Sequence, residues 1–97
     1  MGWGTKRRDD LIEDLNLLLD DFCMQWGFCN RLRAEHLLQP GKMLSAEEFA
    51  CAVLQTEGMN AEHEPEWRRR MRKKFVERYG ASVSIESYVA PADLTGR

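Results

Sequence analysis

The stretch Thr5-Lys6-Arg7-Arg8-Asp9-Asp10-Leu11-Ile12-Glu13-Asp14-Leu15-Asn16-Leu17-Leu18-Leu19-Asp20-Asp21-Phe22-Cys23-Met24-Gln25-Trp26-Gly27 decides the fold. Its apolar residues Leu11, Ile12, Leu15, Leu18, Leu19, Phe22, Cys23 and Trp26 recur with helical spacing. At ~100° per residue they fall in a stripe of roughly 140°, the width of a core-facing helix face. Asp9, Asp10, Glu13, Asp14, Asp20 and Asp21 take the other side. Thr5 is placed to cap the start and Gly27 to end the helix, giving an expected span of 6–26. Leu17 and Met24 break the pattern: both lie opposite the stripe, near one another, as exposed apolar residues or the edge of a second contact surface.

Such a stripe needs partners, and the chain supplies two more helices. Ser45-Ala46-Glu47-Glu48 has the form of a capping box, with Ser45 at the N-cap and Glu48 three residues on. Ala46, Phe49, Ala50 and Val53 then share a face, and Gly58 follows, so a helix is expected over 46–57. Pro65 suits a first helical position, Trp67, Met71, Phe75 and Tyr79 step by four into a seam, and Gly80 stops the helix expected over 65–79. Between the first two helices, Leu32, Leu37 and Leu38 suggest a short helix near 30–38 that Pro40-Gly41 terminates. After Gly80, Ser82-Val83-Ser84-Ile85 alternates as a strand does, but with no visible mate it reads as an extended tail that docks Val83, Ile85 and Tyr88. The expected fold is therefore all-α: a small bundle of three main helices with a short connecting helix, a single domain over 1–80, and a C-terminal tail over 81–97.

Composition bounds what such a bundle does. Ninety-seven residues make one domain with a thin core, since Leu, Ile, Val and Phe together number 21. The longest aliphatic run, Leu17-Leu18-Leu19, is far short of the roughly 20 apolar residues of a membrane span. Lys6-Arg7-Arg8 is followed at once by acidic residues where a signal peptide needs an apolar stretch. Three cysteines, Cys23, Cys29 and Cys51, cannot all pair within one chain. A reducing, cytoplasmic setting is expected on both grounds. The net charge of −2 and a pI near 5.7 argue against a protein that coats nucleic acid generally.

The charge is unevenly spread. Arg68, Arg69, Arg70, Arg72, Lys73, Lys74 and Arg78 all fall on the third helix. Four like-charge pairs four residues apart (Arg68/Arg72, Arg69/Lys73, Arg70/Lys74, Lys74/Arg78) cost roughly 1–2 kcal/mol together if nothing neutralises them. Three arginines in the first turns also face the positive end of the helix dipole. Anions are required nearby. One source is internal, the acidic side of the first helix, packed alongside through the two apolar seams. Another is an acidic protein partner, or a second copy of the chain, met by the exposed residues Arg69, Arg70, Lys73 and Lys74. A third is a phosphate backbone met by Arg68, Arg69, Arg70, Arg72, Lys73 and Lys74, with Trp67 and Tyr79 to stack bases. Against that third source, Gly58 to Glu64 is longer than the turn of a helix-turn-helix, and the aromatic residues lie on the seam the core needs.

Catalytic and metal chemistry find little support. Cys23, Cys29, His36 and Cys51 lack the spacing of common zinc modules, so no metal ligands are assigned. Cys23 reads as a small buried hydrophobe and Cys51 as the most exposed thiol. His63 lies in an acidic linker and reads as a solvated residue, and the glycines are too scattered for a phosphate loop. A mostly helical chain this short offers little room for a cavity of about 300 Å³. The sequence thus leads to a non-enzymatic protein-interaction module, a small regulator or assembly subunit, using its basic helix. The alternative is a nucleic-acid-binding protein using the same helix. No catalytic residue, cofactor, membrane or small-molecule substrate is expected.

Overall fold

The computed structural model describes residues 3–29 and 32–88, with side chains from Arg8 onward. Helix α1 runs Trp3–Trp26, α2 Ala46–Thr56 and α3 Pro65–Tyr79; two-residue strands β1 (Leu44–Ser45) and β2 (Ser82–Val83) complete the framework. The protein is mostly helical, as the three periodic segments require. The first helix begins ahead of Thr5, which lies within it rather than at its cap.

Leu11, Leu15, Leu18, Leu19 and Phe22 of α1 are buried against Phe49, Ala50, Val53 and Leu54 of α2 and Met71 and Phe75 of α3. Aromatic rings join these faces in one unbroken series. Phe28 meets Trp67 at 4.8 Å, Trp67 meets Trp26 at 5.3 Å, and Trp26 stacks on Phe22 at 4.8 Å. Phe22 then reaches Phe49 at 5.8 Å, Phe49 reaches Phe75 at 5.1 Å, and Tyr79 and Tyr88 close the series. Offset and edge-on rings of this kind add to the area they bury. The four-residue steps of α3 are thereby used for the core. Because Asp14 meets the last turn of α3 and Trp26 meets its first, α1 and α3 run antiparallel.

Three helix ends are explained locally. Ser45 Oγ accepts the Glu48 N–H at 3.0 Å while Glu48 Oε1 accepts the Ser45 N–H at 3.1 Å, the reciprocal pair of a capping box. Gly27 and Gly80 take φ of 79° and 86°, left-handed values that a side chain resists, and each ends its helix. The short helix expected near 30–38 is instead a 3₁₀ turn at Ala34–His36. Asn16 of α1 shapes it, its Oδ1 accepting the Ala34 N–H at 2.8 Å and its amide donating to Glu35 Oε1 at 3.3 Å. A second such turn, Ala61–His63, leads into α3, and Asn60 Oδ1 accepts the Glu62 N–H within it.

The alternating segment after Gly80 has a mate after all. β2 pairs antiparallel with β1, Leu44 opposite Val83 and Ser45 opposite Ser82, and the Ala46 N–H donates to Ala81 O at 2.9 Å. The mate was hidden because Ser45 both ends β1 and caps α2. Val83, Ile85 and Tyr88 are buried. Ser84 and Ser87 exchange backbone-to-hydroxyl hydrogen bonds of 2.9 and 3.0 Å, so the buried Ser84 is satisfied. Residues 81–88 thus pack on the helices through Val83, Ile85 and Tyr88, while the tail beyond Tyr88 lies outside the described residues.

Candidate functional site

The anions demanded by α3 come mainly from elsewhere than the acidic face of α1. Glu47, in the first turn of α2, takes two arginines at once: Arg68 at 3.3 Å on Oε2 and Arg72 at 3.0 Å on Oε1. From α1 only Asp14 takes part among the described residues. It accepts two hydrogen bonds from Arg78, at 2.9 and 3.1 Å, and a third at 2.7 Å from the Tyr79 hydroxyl. Asp14 is nearly buried, with a side chain 16% exposed, so this contact joins the helices more firmly than a surface pair would. The hydrogen bond to Asp14 raises the Arg78 pKa, and burial followed by the same carboxylate pushes the Tyr79 hydroxyl far above its ordinary value.

The four residues expected to bind a partner make no ion pair with another element among the described residues. Arg69 pairs only with Glu66 of its own helix. Arg70 lies 5.0 Å over the Trp67 ring, a cation–π contact that leaves its charge exposed. Lys73 is exposed and Lys74 half-buried. They do not form one cluster. At ~100° per residue, Arg70 and Lys74 lie roughly 100–140° around the helix from Arg69.

Arg69 and Lys73 join Arg72 along an open trough between α3 and the start of α2, about 630 Å³ in volume. Its apolar lining is Ala46, Ala81 and Val76, and Val76 remains 46% exposed. Sequence reasoning missed Val76 and Ala81 here. Val76 carried a signal, since it lies off the seam of Trp67, Met71, Phe75 and Tyr79, but Ala81 reaches the trough only through the β1–β2 pairing. The trough therefore combines Arg69, Lys73 and Arg72, the last held by the Glu47 carboxylate that also lines it, with a small apolar strip, a net cationic surface suited to an acidic, amphipathic segment. Of the six residues set out for phosphate binding, Arg68 and Arg72 are held by Glu47, and Trp67 lies half-buried between Trp26 and Phe28.

The cysteines depart from expectation. Cys23 and Cys29 are joined in a disulfide across the Gly27 turn, so Cys23 is not a free buried thiol. Cys51 is half-buried rather than prominent, packed on the core with its thiol donating to Glu47 Oε2 at 3.5 Å. Burial, then Glu47, raises its pKa, the opposite of an activated nucleophile. Beside the disulfide a hollow of about 500 Å³ lies over Leu19, Phe22, Phe28 and Val53. The chain thus has more room than its length suggests, in a hollow walled by Phe28, Cys29, Leu32, Arg33 and His36 on one side and by Val53 and Thr56 of α2 on the other. Among the described residues no group of three or more His, Cys, Asp or Glu is gathered as a metal site, and no helix is long and apolar enough to cross a membrane.

The fold and surface define a small helical protein with a cationic trough. No family model, curated protein or solved structure matches the chain.

Proposed function

We propose that this protein is a non-enzymatic interaction module, a small regulator or assembly subunit, whose α3 trough holds an acidic, amphipathic segment of a protein partner. One observation carries the reading: among the described residues Arg68, Arg72 and Arg78 have anions from α1 or α2, whereas Arg70, Lys73 and Lys74 make no ion pair and Arg69 pairs only with Glu66 of its own helix. A helix that keeps its like-charge repulsion after folding gains when a partner relieves it. The exposed Val76 adds an apolar contact among the cations. A cytoplasmic setting belongs to the same proposal. The free Cys51 supports it and the Cys23–Cys29 bond weighs against it, so counting thiols in protein alkylated at lysis tests the compartment.

The binding test is a titration of a labelled helical peptide carrying Glu at four-residue spacing with Leu between. Duplex DNA is titrated in parallel. Changing Arg69, Arg70, Lys73 and Lys74 to Gln is expected to weaken peptide binding at least tenfold while the fold persists. DNA bound more tightly than peptide, with affinity falling steeply with salt, would put the nucleic-acid reading in its place.

A further inference from the structure

The outer face of α1 answers the trough in kind. Asp9, Glu13, Leu17, Asp20 and Met24 are all exposed, Leu17 at 55% and Met24 at 80%. Their spacings of four, four, three and four place them within roughly 80° of one another at ~100° per residue. The stripe lies opposite Leu11, Leu15, Leu18 and Phe22, the residues that bury α1. Three carboxylates thus share one face with two large apolar side chains along about 22 Å of helix. Of the three, only Asp20 makes an ion pair among the described residues, with Arg33 at 3.6 Å, and Arg8 and Arg33 line the same hollow as Asp9 and Glu13.

We infer that the segment received by the trough is this α1 stripe of a second copy of the chain. The inference rests on the reading of the trough given above and names its partner. Charge and apolar character complement one another: Arg69, Arg72 and Lys73 precede Val76 along a trough that Glu47 also lines, and Asp9, Glu13 and Asp20 share the stripe with Leu17. α3 is about as long as the stripe, since 15 residues of helix extend roughly 22 Å. One molecule does not satisfy itself. Its α1 and α3 already lie side by side through Asp14–Arg78 and Trp26–Trp67, which turns the stripe outward and away from α3. The two surfaces differ, so the contact is heterologous: each copy offers a stripe to one neighbour and a trough to another, and ring closure or a second reciprocal contact sets the size.

The experiment is sedimentation of the full chain over a thousand-fold dilution, at low and high salt. Average mass is expected to rise with concentration and to return to monomer in high salt. Two charge-reversed variants, Arg69→Glu with Lys73→Glu and Asp9→Lys with Glu13→Lys, are each expected to stay monomeric alone. Mixed in equal amounts they are expected to associate, because each reversed surface then meets a reversed complement. Leu17→Ser with Met24→Ser alters only exposed side chains and is expected to weaken association without loss of fold. A wild type that stays monomeric throughout, or reversed variants that associate as the wild type does, would overturn the inference. A monomeric wild type that still binds the acidic peptide overturns it and leaves the interaction module standing. Failure of both removes both.

Discussion

At the scale of single residues, Asp14 is the member of the acidic helix that matters most to the fold. It is one of nine charged residues between Lys6 and Asp21, yet among the described residues it alone receives three donors from α3. Hydrogen bonds to a charged group contribute about 1.5–3 kcal/mol. Asp14→Asn, which keeps the shape and removes the charge, is accordingly expected to lower unfolding free energy by about 2 kcal/mol in urea titrations. Glu13→Gln, one residue away and exposed, is expected to change it little. Tyr79 gives the same contact a pH signature. A free tyrosine titrates near 10, and the folded protein holds Tyr79 protonated well beyond that. As pH rises past about 10 the unfolded chain releases this proton while the native one keeps it, so stability falls with pH. Wild type should lose stability more steeply above that point than Tyr79→Phe does; parallel curves would remove Tyr79 from the account. Tyr79 was legible as part of the α3 seam, but its hydroxyl contact with Asp14 was not. Asp14 sits in a run of carboxylates whose spacing makes one side of a helix, and only the antiparallel approach of α3 selects it.

At the scale of elements, α3 holds together despite its charge because Glu47 and Asp14 neutralise three of its seven cations and its aromatic seam is buried. Four cations remain without an anion from α1 or α2, so changing Arg69, Arg70, Lys73 and Lys74 to Gln should leave the melting temperature unchanged or raise it. Each relieved like-charge pair contributes about 0.2–0.5 kcal/mol, and a marked fall in melting temperature would show that the cations act inside the fold. Glu47→Gln should act in the opposite sense, with a loss of about 1 kcal/mol, because two partly exposed pairs depend on it. The helices were legible from apolar spacing, the Ser45–Glu48 cap and the flanking Pro65 and Gly80. β1 was not, being two residues long and sharing Ser45 with the cap. The Cys23–Cys29 bond was not legible either, since it depends on Gly27 reversing the chain between them. Closing so short a loop restricts the unfolded chain by about 2 kcal/mol, and reduction should lower the urea midpoint accordingly. Cys23→Ser with Cys29→Ser should then be indifferent to reductant.

At the scale of the whole molecule, the tight fit of its last described segment follows from the size of the chain. A domain of 97 residues has about 5–15 kcal/mol of net stability, and its core has few members to lose. Val83, Ile85 and Tyr88 are three of them, and Tyr88 ends the aromatic series that begins at Phe28. Burial of each such side chain contributes about 1.5–3 kcal/mol, so the three together rival the whole net stability. Removing them would also open Leu44, which lies opposite Val83, and take away the Ala81 carbonyl that accepts the Ala46 N–H at the start of α2. A chain cut after Gly80 retains all three helices in sequence but not the strand that ties α3 back to α2. It should keep much of its far-ultraviolet helical signal while losing a sharp, cooperative thermal transition. A chain cut after Tyr88 keeps the strand pair and the full aromatic series and should keep a sharp transition. Equal, sharp transitions for both truncations would mean that α1, α2 and α3 form a sufficient core, and would return the strand pair to the status of an ornament on a three-helix bundle.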